Sequence, residues 1–204
     1  MPATKIELRD GSHVAIRPIR PEDRDGLAAG FDRVGPESRY RRFFSPKPAL
    51  TPRDLDYLTN VDHHDHEALL AVDLETRDGV GVARYVRTGT DVAEPAVLVI
   101  DDWHGRGVGT ALLQQLAERA QAEGIRRFEA PILAGNDEVM HLIDGLGDAS
   151  YRRQGGETIL EMTLPEQGRV PRWAGLLGHF SRGTLELRRP LLARLRSTLQ
   201  LGDG

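Results

Sequence analysis

The chain has 204 residues, 39% of them hydrophobic, and a sequence pI of about 6.0. This size suits one domain with an appendage better than two full domains, and the apolar content is ordinary for a soluble fold. The sequence has no cysteine, no apolar run approaching the ~18–20 residues of a membrane span, and no N-terminal apolar core typical of a signal peptide. These features exclude disulfides, cysteine nucleophiles and thiolate metal sites, and we expect a cytoplasmic protein.

Charge is distributed unevenly along the chain. Residues 169–204 contain seven arginines and two acids, a net of +5, whereas the whole chain carries −4, so the first 168 residues carry −9. An acidic body suits a cationic substrate and argues against nucleic acid as its main partner.

The first 60 residues predict a hairpin followed by three helices. In chain order these are strands 6–8 and 14–19, and helices from 21 to about 34, from 37 to 44, and from 52 to 58 or 60. The Asp10-Gly11 pair is typical of a tight hairpin turn, and Thr51 is the expected N-cap of the third helix.

Residues 62–66, Asp-His-His-Asp-His, crowd imidazoles and carboxylates into one stretch. Such groups ligate metals, but adjacent loop residues rarely converge on one ion, and the sequence offers no second cluster of ligands. We therefore expect no metal. The preferred interpretation is a loop that enters a strand at 68–74, with one histidine bonded to nearby backbone; a substrate-side role for His66 stays open.

Strands 68–74 and 80–87 are expected to pair antiparallel and to lead into an apolar strand at 96–100. Gly105, Gly107 and Gly109 follow at alternate positions, and from Val108 the apolar residues take helical spacing up to about Gly124. Glycines let the backbone approach a ligand closely, and the free N–H groups of a helix start attract anions. The junction predicts a pyrophosphate site, with a merely flexible connection as the alternative. Neither a P-loop nor the dinucleotide fingerprint is present.

The remaining chain predicts a strand at 128–133, a helix led by Asn136 and a last strand at 158–164. The fold class is α/β (α+β): a mixed, mostly antiparallel twisted sheet with helices on both faces, spanning residues 1–166. Residues 167–204 form a basic, partly helical extension. It has three candidate uses: packing on the acidic body or a partner, which the opposite charges favour, dimerisation, or binding an anionic membrane surface.

Several motifs together resemble one known family. His104-Gly105-Arg106-Gly107-Val108-Gly109 after a hydrophobic strand is similar to the acyl-CoA-binding motif of the GNAT N-acetyltransferase superfamily, and the Asn136 helix falls in that family's register. The phrases RPIRPEDRDGL, ESRYRRFF and DHHDHEALLAV resemble bacterial Pat-type protein lysine acetyltransferases. The resemblance covers roughly residues 5–165 and includes neither a cyclic-nucleotide domain nor a ligase-like domain.

This resemblance implies acetyl-CoA as co-substrate and a site along the central strand. In the family that strand splays from its neighbour and pairs with the pantetheine arm, which assigns Val97 and Val99 to the arm. The residues assigned to the pyrophosphate and to the rest of acetyl-CoA are His104, Gly105, Arg106, Gly107, Val108, Gly109, Thr110 and Asn136. Arg106 is alternatively a solvated loop residue, and Asn136 alternatively a helix N-cap.

Glu94 is the expected catalytic residue. A lysine amine is mostly protonated at neutral pH, so transfer needs a base, and the Pat-type enzymes carry a glutamate in a similar Ala-Glu-x-Ala setting. The alternative is a solvated carboxylate at a strand edge. Three departures from the family pattern bear on activity. His104 replaces Gln or Arg, and Pro95 removes a backbone N–H. Ile143 stands where many members have a tyrosine that serves as general acid for the thiolate.

The expected function is acetyl transfer to a primary amine, most naturally a protein lysine. A small amine such as an aminoglycoside or polyamine is the enzymatic alternative. A non-catalytic acetyl-CoA-binding module is the other, favoured by Pro95 and Ile143.

Overall fold

The structure is a computed structural model that describes residues 3–36, 49–132, 149–154 and 157–164. Within them, eight strands form one sheet in the order β1-β2-β3-β4-β5-β6-β8-β7. The strands are β1 Thr4–Glu7, β2 His13–Pro18, β3 His66–Asp73, β4 Gly79–Arg87, β5 Val92–Val99, β6 Arg127–Ile132, β7 Ala149–Gln154 and β8 Glu157–Thr163. Every neighbouring pair is antiparallel except β5 and β6, which confirms the predicted mixed, mostly antiparallel sheet.

Helices cover both faces of this sheet. They are α1 Arg24–Asp32, α2 Pro52–Thr59 and α3 Val108–Ala122. A 3-10 turn, Pro21–Asp23, precedes α1. Helix α3 packs on β3, β4 and β5, whereas α1 packs on α2 and β4. None of the described helices is long and apolar enough to cross a membrane.

The predicted start of α2 is confirmed in atomic detail. The Thr51 hydroxyl accepts a hydrogen bond from the Asp54 N–H at 3.2 Å, and the Asp54 carboxylate accepts one from the Thr51 N–H at 2.8 Å. These reciprocal bonds satisfy two backbone donors that a helix start otherwise leaves without partners. The helix therefore begins where the sequence places it.

Strand β7 is the element that the sequence pattern did not reveal. Ala149–Gln154 reads Ala-Ser-Tyr-Arg-Arg-Gln, without alternation of apolar and polar residues. It lies at the end of the strand order, and its Tyr151 is 39% exposed. An edge strand exposed in this way needs no apolar face, which removes the signal on which prediction depends. The predicted helices at 37–44 and after Asn136, and the extension 167–204, lie outside the described residues.

The main core lies between the sheet and α3. Leu112 and Leu116 of α3 are fully buried, as are Leu69, Tyr85 and Phe128 of the strands beneath. The apolar stripe of α3 thus packs on the sheet and fixes the helix start at the end of β5. This packing positions the glycine turn relative to the strand that precedes it.

Candidate active site

Strands β5 and β6 pair at only two positions among the described residues and then separate. Their parallel pairing consists of Val92 with Arg127 and Ala93 with Phe128, and the described residues contain no further pairs between them. On its other side β5 stays paired with β4 along its whole length, from Ala93 opposite Arg87 to Val99 opposite Gly81. From Glu94 onward, β5 therefore has one paired side and one open side.

The backbone alternation of β5 shows which groups face the open side. Ile100 N donates to Val80 O at 3.1 Å, and Thr88 N donates to Val92 O at 2.9 Å, so even-numbered residues of this strand bond to β4. In an antiparallel ladder the alternate residues point their N–H and C=O groups the other way. The N–H groups of Val97 and Val99 consequently face the open side.

Pro95 lies where the β5–β6 ladder stops. Its position is odd-numbered, so its nitrogen faces β6 and costs no bond to β4, although it lies opposite Tyr85 in the register. After Ala93, the next residue of β5 that faces β6 is Pro95. A continued β5–β6 ladder would need an N–H donor there, and proline has none. Pro95 thus suits the separation of the two strands and does not disturb the paired side.

The glycine turn joins β5 to α3. After a 3-10 turn at Asp101–Trp103, Gly105 and Gly107 take positive φ values of 79° and 104°, and Gly107 is the N-cap of α3. Residues with a Cβ rarely adopt this conformation, so the turn requires glycine at both positions.

The N–H groups that begin α3 suit an anion. The first intrahelical bond runs from Ala111 N to Gly107 O at 3.0 Å, so the N–H groups of Val108, Gly109 and Thr110 precede the helical ladder. The first turn of α3 contains no acidic residue. Free amides and the positive end of the helix dipole, without a competing carboxylate in that turn, form a favourable environment for phosphate.

His104 holds the turn against β5. Its Nε2 lies 2.9 Å from the Val99 carbonyl oxygen, which faces the open side of the strand. Because a carbonyl only accepts, Nε2 carries the proton. The His104 side chain therefore donates a hydrogen bond to the last backbone carbonyl of β5 that faces the open side.

Arg106 belongs to a small cluster that the sequence did not predict. Its guanidinium lies 4.6 Å from the centroid of the Trp103 ring and 3.3 Å from an Asp10 carboxylate oxygen. Its carbonyl oxygen accepts a hydrogen bond from Arg9 N at 3.3 Å. The β1–β2 turn therefore lies directly against the glycine turn, and Arg106 has two partners there although its side chain is 37% exposed.

An apolar cleft lies on the opposite face of the sheet from α3. Its lining comes from α1, α2 and the central strands and includes Leu27, Phe31, Leu58, Leu70, Val82 and Leu98. Even-numbered side chains of β5 point to this face, and Glu94 is one of them, half-buried and opposite Val86 in the register. Glu94 thus lies on the cleft side of β5, at the level where β6 separates from the strand.

A buried Arg–His pair borders this cleft. Arg84, 2% exposed, donates to His66 Nε2 at 3.1 Å and to Leu58 O at 3.3 Å. The His66 ring stacks on Tyr57 with 4.8 Å between centroids. Burial and the charge of Arg84 lower the pKa of His66 to about 3, so the imidazole is neutral and accepts from Arg84. In the register, Val86 separates His66 on β3 from Glu94 on β5.

The histidines of residues 62–66 diverge to different partners. His63 Nδ1 lies 2.7 Å from the buried Glu67, and His64 Nδ1 lies 2.5 Å from Glu123, the residue that follows α3, whereas His66 bonds to Arg84. The expected bond from an imidazole to nearby backbone is therefore wrong, because charged side chains of β3, β4 and α3 lie within reach. Among the described residues no three potential metal ligands converge. Asn136 and Ile143 lie outside the described part of the chain.

Comparison with known proteins places this arrangement among acetyltransferases. Residues 37–148 match the acetyltransferase (GNAT) family. The chain is 33% identical over 171 residues to acetyltransferase Pat of Mycolicibacterium smegmatis, an alignment that covers 81% of this chain and 50% of that protein. It is also 33% identical over 149 residues to acetyltransferase PA5475 of Pseudomonas aeruginosa, covering 71% and 80% of the two chains.

The fold itself matches a solved domain. The GNAT domain of S. lividans PAT superposes with a TM-score of 0.69 at 34% identity, covering 79% of this chain and 97% of that domain. The present chain spans half the length of the Mycolicibacterium smegmatis relative.

Proposed function

The chain belongs to the acetyltransferase (GNAT) family, and from this premise we propose that it transfers the acetyl group of acetyl-CoA to a primary amine, with a protein lysine as the preferred acceptor. The observation that carries the proposal is the open side of β5, which leads directly into the glycine turn and the start of α3. The open-side N–H groups of the strand are thus followed along the chain by the N–H groups of the helix start.

The residues along that line suit acetyl-CoA. The outward N–H groups of Val97 and Val99 would pair with the amide-bearing pantetheine arm, and those of Val108, Gly109 and Thr110 would face the pyrophosphate. Gly105 and Gly107 add no side chain of their own to this surface, while His104 and Arg106 support it. When bound, acetyl-CoA supplies a thioester that an amine can attack. In this proposal Asn136 contributes a further contact.

The protein's part in the reaction is to deliver a neutral amine. Glu94, on the cleft side of β5, accepts a proton from the acceptor ammonium, directly or through a water molecule. The neutral nitrogen then forms a bond to the acetyl carbon, the carbon–sulfur bond breaks, and the thiolate takes its proton from water. Tyr85 is not the acid, because its buried hydroxyl donates to His64 O and lies on the α3 side of the sheet.

A protein lysine is preferred as acceptor for three reasons. Several sequence motifs of the chain resemble those of the Pat-type lysine acetyltransferases. The first 168 residues also carry a net charge of −9, which attracts a cationic side chain. The cleft walls are apolar and suit the methylene stem of a lysine.

The test measures CoA release with a panel of proteins and small amines. We expect Glu94→Gln to lower kcat/KM by about 10²- to 10⁴-fold while the Kd for acetyl-CoA stays unchanged. Glu7→Gln, an exposed strand carboxylate on β1, is the matched control and should retain full activity. Equal turnover by Glu94→Gln would remove Glu94 from the reaction. Faster turnover of small amines would replace lysine as the acceptor, and binding without turnover on any acceptor would favour a non-catalytic module.

A further inference from the structure

We infer that Arg9, in the turn between β1 and β2, binds a phosphate group of CoA and that its neighbour Asp10 weakens the same interaction. The inference rests on the proposed function, because it adds a residue from a distant part of the chain to the acetyl-CoA site. The glycine motif and the strand before it do not include this turn.

The backbone contact places Arg9 at the site. Arg9 N donates to Arg106 O at 3.3 Å, which fixes the β1–β2 turn on the loop that ends at α3. The Arg9 side chain then passes over the helix start, since its Cγ lies 3.9 Å from where a Cβ on Gly107 would stand. The guanidinium carbon is three bonds beyond Cγ, so rotation of the side chain can bring it to the space in front of the first N–H groups of α3.

The charges around this point are those of Arg9, Asp10 and Arg106, and Asp73 also lies within electrostatic range of Arg106. Asp10 pairs with Arg106, whereas no carboxylate of the described residues forms an ion pair with the exposed Arg9. Hydrogen bonds from Ser12, together with Arg106, lower the pKa of Asp10, so it is ionised at neutral pH. Arg9 is therefore the cation available to a phosphate, while the Arg106 charge is already shared with Asp10.

The chemistry of CoA matches this arrangement. Its diphosphate and its 3′-phosphate are the strongly anionic groups of the ligand, and a guanidinium binds phosphate through paired, charge-assisted N–H donors. The amides of the α3 start supply neutral donors, and Arg9 adds a full charge that those amides lack. Asp10 acts in the opposite direction, because its negative charge repels phosphate and restrains Arg106.

The experiment is titration calorimetry of the whole chain with CoA, dephospho-CoA and phosphate-free acetyl-pantetheine. We expect Arg9→Gln to weaken CoA binding about three- to tenfold and Asp10→Asn to tighten it about two- to fivefold. Lys5→Gln, which removes one exposed positive charge from the same hairpin, should change the Kd less than about twofold. Thermal melts of each variant check that the fold is intact.

The three ligands separate the outcomes. If Arg9→Gln also binds dephospho-CoA more weakly than the wild type does, Arg9 contacts the diphosphate. If its affinity for dephospho-CoA equals that of the wild type, Arg9 contacts the 3′-phosphate. Either result supports the inference. Wild-type affinity of Arg9→Gln for CoA, or an equal loss with acetyl-pantetheine, would overturn it and leave the proposed function intact. Failure of the wild-type chain to bind any CoA species would instead remove the proposed function itself.

Discussion

Single residues at the glycine turn determine whether the chain can present backbone to a phosphate. Gly107 combines a φ of 104° with the N-cap position of α3. A Cβ at this position would lie 3.9 Å from Arg9 Cγ, which is an ordinary contact without a clash. The requirement at this position is therefore conformational and not steric. His104 and Arg106 then fix the turn through bonds to Val99 and Asp10.

We predict that Gly107→Ala lowers the free energy of unfolding by about 1–2 kcal/mol, because an L-residue is strained at this φ. The same change should weaken acetyl-CoA binding, since the strained turn shifts the first N–H groups of α3. Urea denaturation and calorimetry measure the two effects.

Gly124→Ala is the matched control for this prediction. Gly124 also has a positive φ, 79°, but lies beyond the other end of α3 with open space around its Cβ position. It should lose comparable stability and keep its affinity for acetyl-CoA. Undiminished stability of Gly107→Ala would contradict the conformational argument.

At the scale of elements, β5 carries the site because its two sides differ. The side toward β4 is fully paired, while the side toward β6 is paired at two positions and then ends at Pro95. A proline that would disrupt a central strand is accommodated here, since its nitrogen faces the open side. The strand is thus structural on one side and available to a ligand on the other.

Adjacent proline substitutions test this difference. Val97→Pro removes an N–H from the open side, and we expect about a tenfold weaker Kd for acetyl-CoA, equivalent to one lost hydrogen bond. Leu98→Pro removes an N–H from the side paired with Val82, so its free energy of unfolding should fall about 1–3 kcal/mol further than that of Val97→Pro. Both variants carry the same ring, so the strain it introduces is matched. A larger stability loss in Val97→Pro would show that the assigned alternation of the strand is reversed.

At the scale of the whole molecule, buried polar groups make stability depend on pH. His66 is 9% exposed and has a pKa lowered to about 3, whereas in the unfolded chain it titrates near 6.5. Between these values the unfolded chain binds more protons, so stability is full above about pH 6.5 and declines as the pH falls. Asp23 adds to the decline only at lower pH: burial opposes its charge, but bonds from Arg17 and Arg20 N keep its pKa below the ordinary value.

We predict that the free energy of unfolding falls between pH 6.5 and 4.5 with a slope of at most about 1.4 kcal/mol per unit from His66. His66→Gln keeps an acceptor for Arg84 and should flatten this slope, while His13→Gln, at an exposed position, should leave it unchanged. Denaturant titrations across the range give the three curves. An equally steep decline in His66→Gln would show that another group carries the effect.

Local sequence patterns determine much of the fold and part of the candidate site. The Asp10-Gly11 turn, the Thr51 cap and the apolar stripe of α3 each depend on residues close in sequence, so hairpin, helix and strand positions were predicted within a few residues. For the glycine turn, the spacing predicted either a pyrophosphate site or a flexible connection, and the family resemblance favoured the first. Strand β7 was missed because an exposed edge strand lacks an apolar face.

Only the tertiary structure decided which distant groups meet. The contact between the β1–β2 turn and Arg106, the pairing of Arg84 with His66, and the divergence of the histidines in residues 62–66 join segments that no local pattern connects. The open side of β5 likewise depends on where β6 leaves it, and this depends on how the strands pack and twist together. Such contacts follow from the packing of the complete sheet, whereas short-range backbone preferences follow from each segment by itself.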